Sequence, residues 1–316
     1  MFKYYLFSEK NGKIFYQGIN SLRELEAYLK SSRKNILFIR NLDNQVADFL
    51  IDLYKINPNT FEDYFEEERN KIELLGNYVF FLILDLRKTV ERRKKVAIIW
   101  LPNTIVMFGS RQIFENARKE FSLFKNPFDN LELFIWSVFE QILTHYSEII
   151  DILEDEIEFI EEKIFKIQNM NLLEDISDIS SDVIHLRRLL KQLRGVLEVI
   201  LNLDTRFIKK KNIHYFRDLY DENINLFDKA EGLHDFVKNV INIFETMISF
   251  KLNDMMKTLT LFMSLLAPAT LISSIYGMNL SHLPFANTKY DFVIVMLVIF
   301  FTFILGVIYF RRKGWM

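Results

Sequence analysis

The chain has 316 residues, 26% of them charged and 50% hydrophobic, with a formal net charge of −2. That length holds a sizeable folded domain with residues to spare, and the near-neutral balance offers no basic surface for nucleic acid. Cysteine is absent, which excludes a disulfide scaffold and a thiolate metal site, and the five histidines (His145, His185, His214, His234 and His282) never fall three or four apart, so no helical zinc pair is available.

Residues 1–126 alternate β-rich runs with amphipathic segments. Lys13 to Tyr16, Ile36 to Ile39, Tyr78 to Leu86, Val96 to Leu101 and Thr104 to Phe108 are rich in Val, Ile, Phe and Tyr and are bounded by polar or turn residues, as strands are. Ser21 to Leu29 and Asn44 to Tyr54 place apolar residues three and four apart, as helices do. An α/β domain with a mixed sheet is expected. The N-terminus lacks the apolar core of a signal peptide, so this domain is expected to stay on the side where it is made. The basic runs Arg92 to Lys95 and Lys209 to Lys211 read as solvated loops.

The texture changes after Pro127. No proline recurs before Pro268, and Gly195 and Gly232 are the only glycines in the interval, so long helices are predicted. Asp129 is the expected N-cap of the first. Asn169 to Asn171 turn into a second helix, and Thr205 to Asn212 break before a third, which gives a helical segment over 127–212. From Glu148 to Asp182 twelve carboxylates face only Lys163 and Lys166, a local charge of −10. That run is either a solvated face or an electrostatic element. The third helix is predicted over 213–276, roughly 90 Å at helical rise, and a rod of that length needs partners along it.

Charge nearly vanishes beyond residue 258. Thr258 to Tyr276 and Phe292 to Phe310 are each nineteen residues without a charge, just enough to span a hydrocarbon core of about 30 Å. Lys251 and Lys257 precede the first run and Arg311, Arg312 and Lys313 follow the second, whereas the loop over 277–291 has only Lys289. The positive-inside rule then predicts a two-pass cell-membrane hairpin with both termini in the cytoplasm and a basic tail over 311–316. Stepping alternately four and three residues along the third helix gives Asn242, Thr246, Ser249, Asn253, Met256, Thr260, Met263, Ala267, Thr270, Ser274 and Gly277. This stripe of small, polar and Met side chains suits a narrow wet pore, and it suits close packing of helices as well. Two spans cannot enclose a pore, so an oligomer is needed.

Tyr276-Gly277-Met278-Asn279 between the two spans, Arg311-Arg312-Lys313-Gly314-Trp315 after the second and Tyr215-Phe216-Arg217-Asp218 upstream together resemble the CorA family of divalent-cation channels. The resemblance covers about the last hundred residues. It implies a homopentamer in membrane lipid, the first span inside and the second outside, with Gly277, Met278 and Asn279 selecting the ion. It carries the pore-lining positions onto Asn253, Met256, Leu259, Ala267, Thr270 and Asn279, to which the stripe adds Met263 and Ser274. Ala267 departs from a frequent family Met, and Met263 lies a turn below it. Mg²⁺, which sheds its waters reluctantly, suits a ring of amide oxygens, with Co²⁺ or Ni²⁺ as further passengers. His282 reads as an exposed loop residue.

The resemblance also implies closure by cytoplasmic Mg²⁺ bound between subunits. Asp218 matches one acidic ligand, but Thr89 stands where its partner acid is expected, leaving Asp85 or Glu91 as substitutes and an ordinary salt bridge as the other reading of Asp218. Lys257, Arg311, Arg312 and Lys313 would form a basic ring near the acidic helices. The expected protein is therefore a Mg²⁺ channel and not an enzyme. A zinc, cobalt or nickel transporter of the same fold, or a membrane-tethered sensor, remains the alternative.

Overall fold

A computed structural model describes residues 2–10, 12–87, 89–166, 172–278, 284 and 290–315. The chain divides into two compact units, Met1–Val240 and Ile241–Met316.

In the first unit, β1 (Tyr4–Lys10), β2 (Lys13–Ile19), β3 (Lys34–Ile39), β4 (Lys71–Leu75), β5 (Tyr78–Arg87), β6 (Thr89–Leu101) and β7 (Thr104–Phe108) form a seven-stranded sheet in the order β2-β1-β3-β7-β6-β5-β4. Only β3 and β7 pair in parallel, so the sheet is mixed as expected. Both faces are covered. One carries α1 (Leu22–Ser31), α2 (Asn44–Tyr54) and α3 (Asn59–Glu66) over a core that includes Leu6, Leu37, Phe80 and Val106. Against the other face lie α4 (Arg111–Phe121), through Phe114 stacked 4.9 Å from Phe38, and α5 (Glu132–Lys166), through Phe139 at 5.7 Å from Phe81. Burial on both faces explains why β5 reads as one apolar run instead of an alternating one. Asp43 caps α2 by accepting the Val46 N–H at 2.9 Å, which fixes where that helix starts.

Two expectations need correction. Arg92 to Lys95 is not a loop but part of β6, where Asp85 stands opposite Lys94 and Leu86 opposite Arg93. The backbone ladder with β5 along this stretch keeps the basic run in the strand. Asp129 does not cap α5; it belongs to a 3₁₀ turn, Pro127–Asp129, and the helix begins at Glu132. Proline 127 and the turn it starts delay helix onset by a few residues. The expected turn at Asn169 to Asn171 lies outside the described residues.

α6 (Leu172–Leu201) returns from α5, and α7 (Ile213–Tyr276) follows. Within the first unit α7 buries Phe216, Leu219, Asn223, Leu226, Ala230, Leu233, Val237 and Val240, steps of three and four that mark a helix packed along one face. Ile157 and Ile160 of α5, Ile176 and Ile179 of α6, and Val237 and Val240 of α7 line one small apolar void, so the three helices converge there.

The second unit contains the rest of α7 and α8 (Asp291–Arg312). Both helices are long and apolar enough to cross a membrane. Pro268 lies inside α7, which is helical on both sides of it.

Candidate functional site

From Glu245 to Met278, Leu261 and Leu265 are the only buried side chains. A Cβ placed on Gly306 of α8 would meet Leu265 Cδ2 at 2.7 Å, so glycine lets α8 lie close against this face. Leu261 and Leu265 flank Met263 by two residues each way, which puts them about 160° around the helix from it. The predicted stripe therefore faces away from α8. All of its members from Asn242 to Gly277 are exposed in the single chain, including Asn253, Met256, Met263, Ala267, Thr270 and Ser274. Leu259, 50% exposed, borders the same face.

Four of the stripe's hydroxyls share one geometry. Thr246 donates to the Asn242 carbonyl at 2.8 Å, Ser249 to Glu245 at 3.0 Å, Thr260 to Met256 at 2.7 Å and Thr270 to Leu266 at 3.0 Å. Each proton is turned back onto the helix, and the oxygen lone pairs are left outward. Such a surface accepts hydrogen bonds from the water around a cation.

At the end of α7, Gly277 N–H donates to the Ser273 carbonyl at 2.9 Å and Met278 N–H to Ile275 at 3.2 Å, closing the last turn. A Cβ on Gly277 would stand 3.2 Å from the Ser273 carbonyl, a tight fit that favours glycine. Tyr276 Oη donates to the Pro284 carbonyl at 2.8 Å, tying the helix end to the connecting loop. Asn279 and His282 lie outside the described residues.

In the first unit Asp218 is exposed on α7, and it belongs to an acidic group that sequence reading missed. Burial and the neighbouring Asp218 push the Glu140 carboxyl up, and burial with Glu140 does the same to Glu222 of α7 and to Glu120 of α4. Glu120 Oε2 is buried without a hydrogen-bond partner. These acids come from α4, α5 and α7 and lie up to about a hundred residues apart in the chain, so no spacing motif joins them. A signal was available: between Glu132 and Glu148, Glu140 is the only Asp, Glu, Lys or Arg in the apolar start of α5. Among the described residues no group of three or more His, Cys, Asp or Glu is close enough to hold a metal ion within one chain.

Asp85 cannot act as the substitute partner of Asp218. It is fully buried on β5, with Arg87 Nε at 2.7 Å on one oxygen and His145 Nδ1 at 2.6 Å on the other. A buried carboxylate holding two bases has no oxygen free for an ion. Thr89 opens β6 and is exposed, and the Glu91 side chain lies outside the described residues. Of the predicted basic ring, Lys257 is half-buried and Arg311, Arg312 and Lys313 are exposed at the end of α8.

Comparison with known proteins agrees with this architecture. The family profile described as CorA-like Mg2+ transporter protein matches residues 35–312. The cobalt/magnesium transport protein CorA of Thermotoga maritima is 25% identical over 291 residues, covering 89% of this chain and 82% of that protein. The complete structure of the CorA magnesium transporter from Methanocaldococcus jannaschii superposes with a TM-score of 0.85 at 20% identity, over 100% of this chain and 99% of that one. The ZntB cytoplasmic domain from Vibrio parahaemolyticus shares the fold at a TM-score of 0.62 and 8% identity, over 78% of this chain and 98% of that one. The chain belongs to the CorA family, and with it to divalent-cation transporters and not to enzymes.

Proposed function

We propose that this protein is a Mg²⁺ uptake channel of the cell membrane, formed by five copies with α7 innermost. One observation carries the reading: the acceptor stripe of α7 is wholly exposed while the opposite face of the same helix packs on α8. A face rich in Asn, Ser and Thr gains little from lipid, and copies arranged round an axis would give it water. Gly277, Met278 and Asn279 are the selecting turn, with the Asn279 amides holding the hydrated ion by its waters, and both termini are cytoplasmic. Met256 and Met263, 60% and 65% exposed, are the apolar constrictions.

Asp218 contributes to closure by cytoplasmic Mg²⁺, together with Glu140 and a ligand from the neighbouring subunit. The support is electrostatic: carboxylates that repel one another at neutral pH are relieved when a divalent cation binds among them. The ZntB likeness keeps a Zn²⁺ transporter of the same fold as the second reading, but the stripe offers oxygens and thioethers, not imidazole or thiolate.

Flux into proteoliposomes tests the proposal. Asn279→Ala is expected to lower Mg²⁺ uptake at least about tenfold with the oligomer intact, the loss of one well-placed hydrogen-bonding group per subunit being about 1.5–3 kcal/mol. Wild-type flux by the assembled variant would refute the filter assignment, and Zn²⁺ flux exceeding Mg²⁺ flux would favour the second reading.

A further inference from the structure

The second unit carries a basic and aromatic patch at the end of α8. α8 ends at Arg312, and the chain then reverses tightly: Gly314 takes φ +70° and its N–H donates to the Arg311 carbonyl at 3.2 Å, while Trp315 N–H donates to Phe310 at 3.0 Å. That backbone cap folds the Trp315 ring back to 5.7 Å from Phe310, which itself lies 5.5 Å edge-on to Tyr309. Trp315 nevertheless stays 41% exposed and Tyr309 57% exposed. The glycine therefore positions an indole beside the three bases Arg311, Arg312 and Lys313.

All three bases are exposed, and among the described residues none of them pairs with a carboxylate. No acid occurs in residues 292–316. Gly306 meets Leu265 although only fourteen residues connect α7 to α8, so the two helices run antiparallel. The basic turn then lies level with the part of α7 that carries Lys257. The last-turn carbonyls favour positive charge here, but three adjacent bases exceed what one helix end neutralises.

We infer that this turn is a binding site for the phosphate headgroup of an anionic phospholipid, with Arg311, Arg312 and Lys313 holding the phosphate and Trp315 and Tyr309 seated among the acyl-chain carbonyls. Guanidinium forks match phosphate oxygens in pairs, and indole rings settle at the boundary between hydrocarbon and water. Charge complementarity selects an anionic over a zwitterionic lipid, and the apolar length of α8 brings the lipid to the site. The inference rests on membrane insertion of α8 but not on the Asn279 filter.

The test is native mass spectrometry of the full-length protein in detergent, titrated with phosphatidylglycerol or with phosphatidylcholine. Phosphatidylglycerol is expected to bind at least about tenfold tighter, because its net negative headgroup meets three bases. Arg311→Gln/Arg312→Gln/Lys313→Gln should abolish the preference, Arg311→Lys/Arg312→Lys should keep most of it, and Trp315→Ala should weaken both lipids severalfold. Excess inorganic phosphate should not compete. Equal binding of the two lipids, an unchanged triple variant, or displacement by free phosphate would each overturn the lipid site. Asn279→Ala should bind lipid as wild type does, so failure of the pore reading and failure of this one are told apart.

Discussion

One helix passes through two solvents. Between Ile213 and Val240, α7 hides a regular apolar seam and leaves its charges outside, the habit of a helix in water. Beyond Ile241 the relation inverts: Phe250, Phe262, Met263 and Leu271 are all more than 60% exposed, while the hydroxyls bond to their own backbone. The difference teaches that the hydrophobic effect organises the first unit and only close packing organises the second, since lipid is as apolar as the side chains it meets.

Truncating an aromatic ring should separate the two regions most. Phe81, fully buried between Trp100 and Phe139, should cost about 3–5 kcal/mol as Phe81→Ala, whereas Phe301, 61% exposed on α8, should cost under about 1 kcal/mol in a bilayer. Thermal unfolding of both variants in nanodiscs measures the contrast, and equal losses would mean that Phe301 is buried by another subunit.

Two glycines should differ by a smaller margin. Gly109 sits at φ +107° and a Cβ there would stand 2.0 Å from the Lys95 carbonyl, a backbone obstacle that cannot step aside. Gly109→Ala should lose about 2–4 kcal/mol by denaturant titration. Gly306→Ala meets only the mobile end of Leu265 and should lose about 1 kcal/mol or less, read as a small fall in melting temperature.

The smallest effect concerns pH. Glu140, Glu120 and Glu222 are held above the usual carboxylate range, so the folded chain keeps their protons more readily than the unfolded chain does. Their contribution is most favourable below the ordinary glutamate value near 4.5 and is lost as pH rises through the raised folded value. Glu140→Gln should flatten that slope, raise the melting temperature at pH 7 without Mg²⁺, and reduce the further rise when Mg²⁺ is added. An unchanged response to Mg²⁺ would remove Glu140 from the regulatory group.

Much of this was legible in the residues. The two uncharged runs, the proline-free interval and the 4-3 stripe each depend on local spacing. Less legible were β1 and β4, which carry Ser, Glu and Lys among their apolar residues, and β4 is an edge strand with Leu74 59% exposed. The strand character of Arg92 to Lys95 was hidden because its support comes from the partner strand. The acids around Asp218 escaped because only tertiary packing unites them, and Asp85 read as a free acid because His145 is sixty residues away.

Pro268 gives α7 a mechanical property. Lacking an N–H, it leaves the carbonyl of Ser264 without its helical donor, four residues upstream and beside Met263. A rod missing one rung is most compliant at that rung, so thermal bending of this span concentrates at one turn instead of spreading along it. The residues on either side then swing as two stiff arms, and a few degrees of flexure there displace Gly277 and Met278 further than they displace Met263.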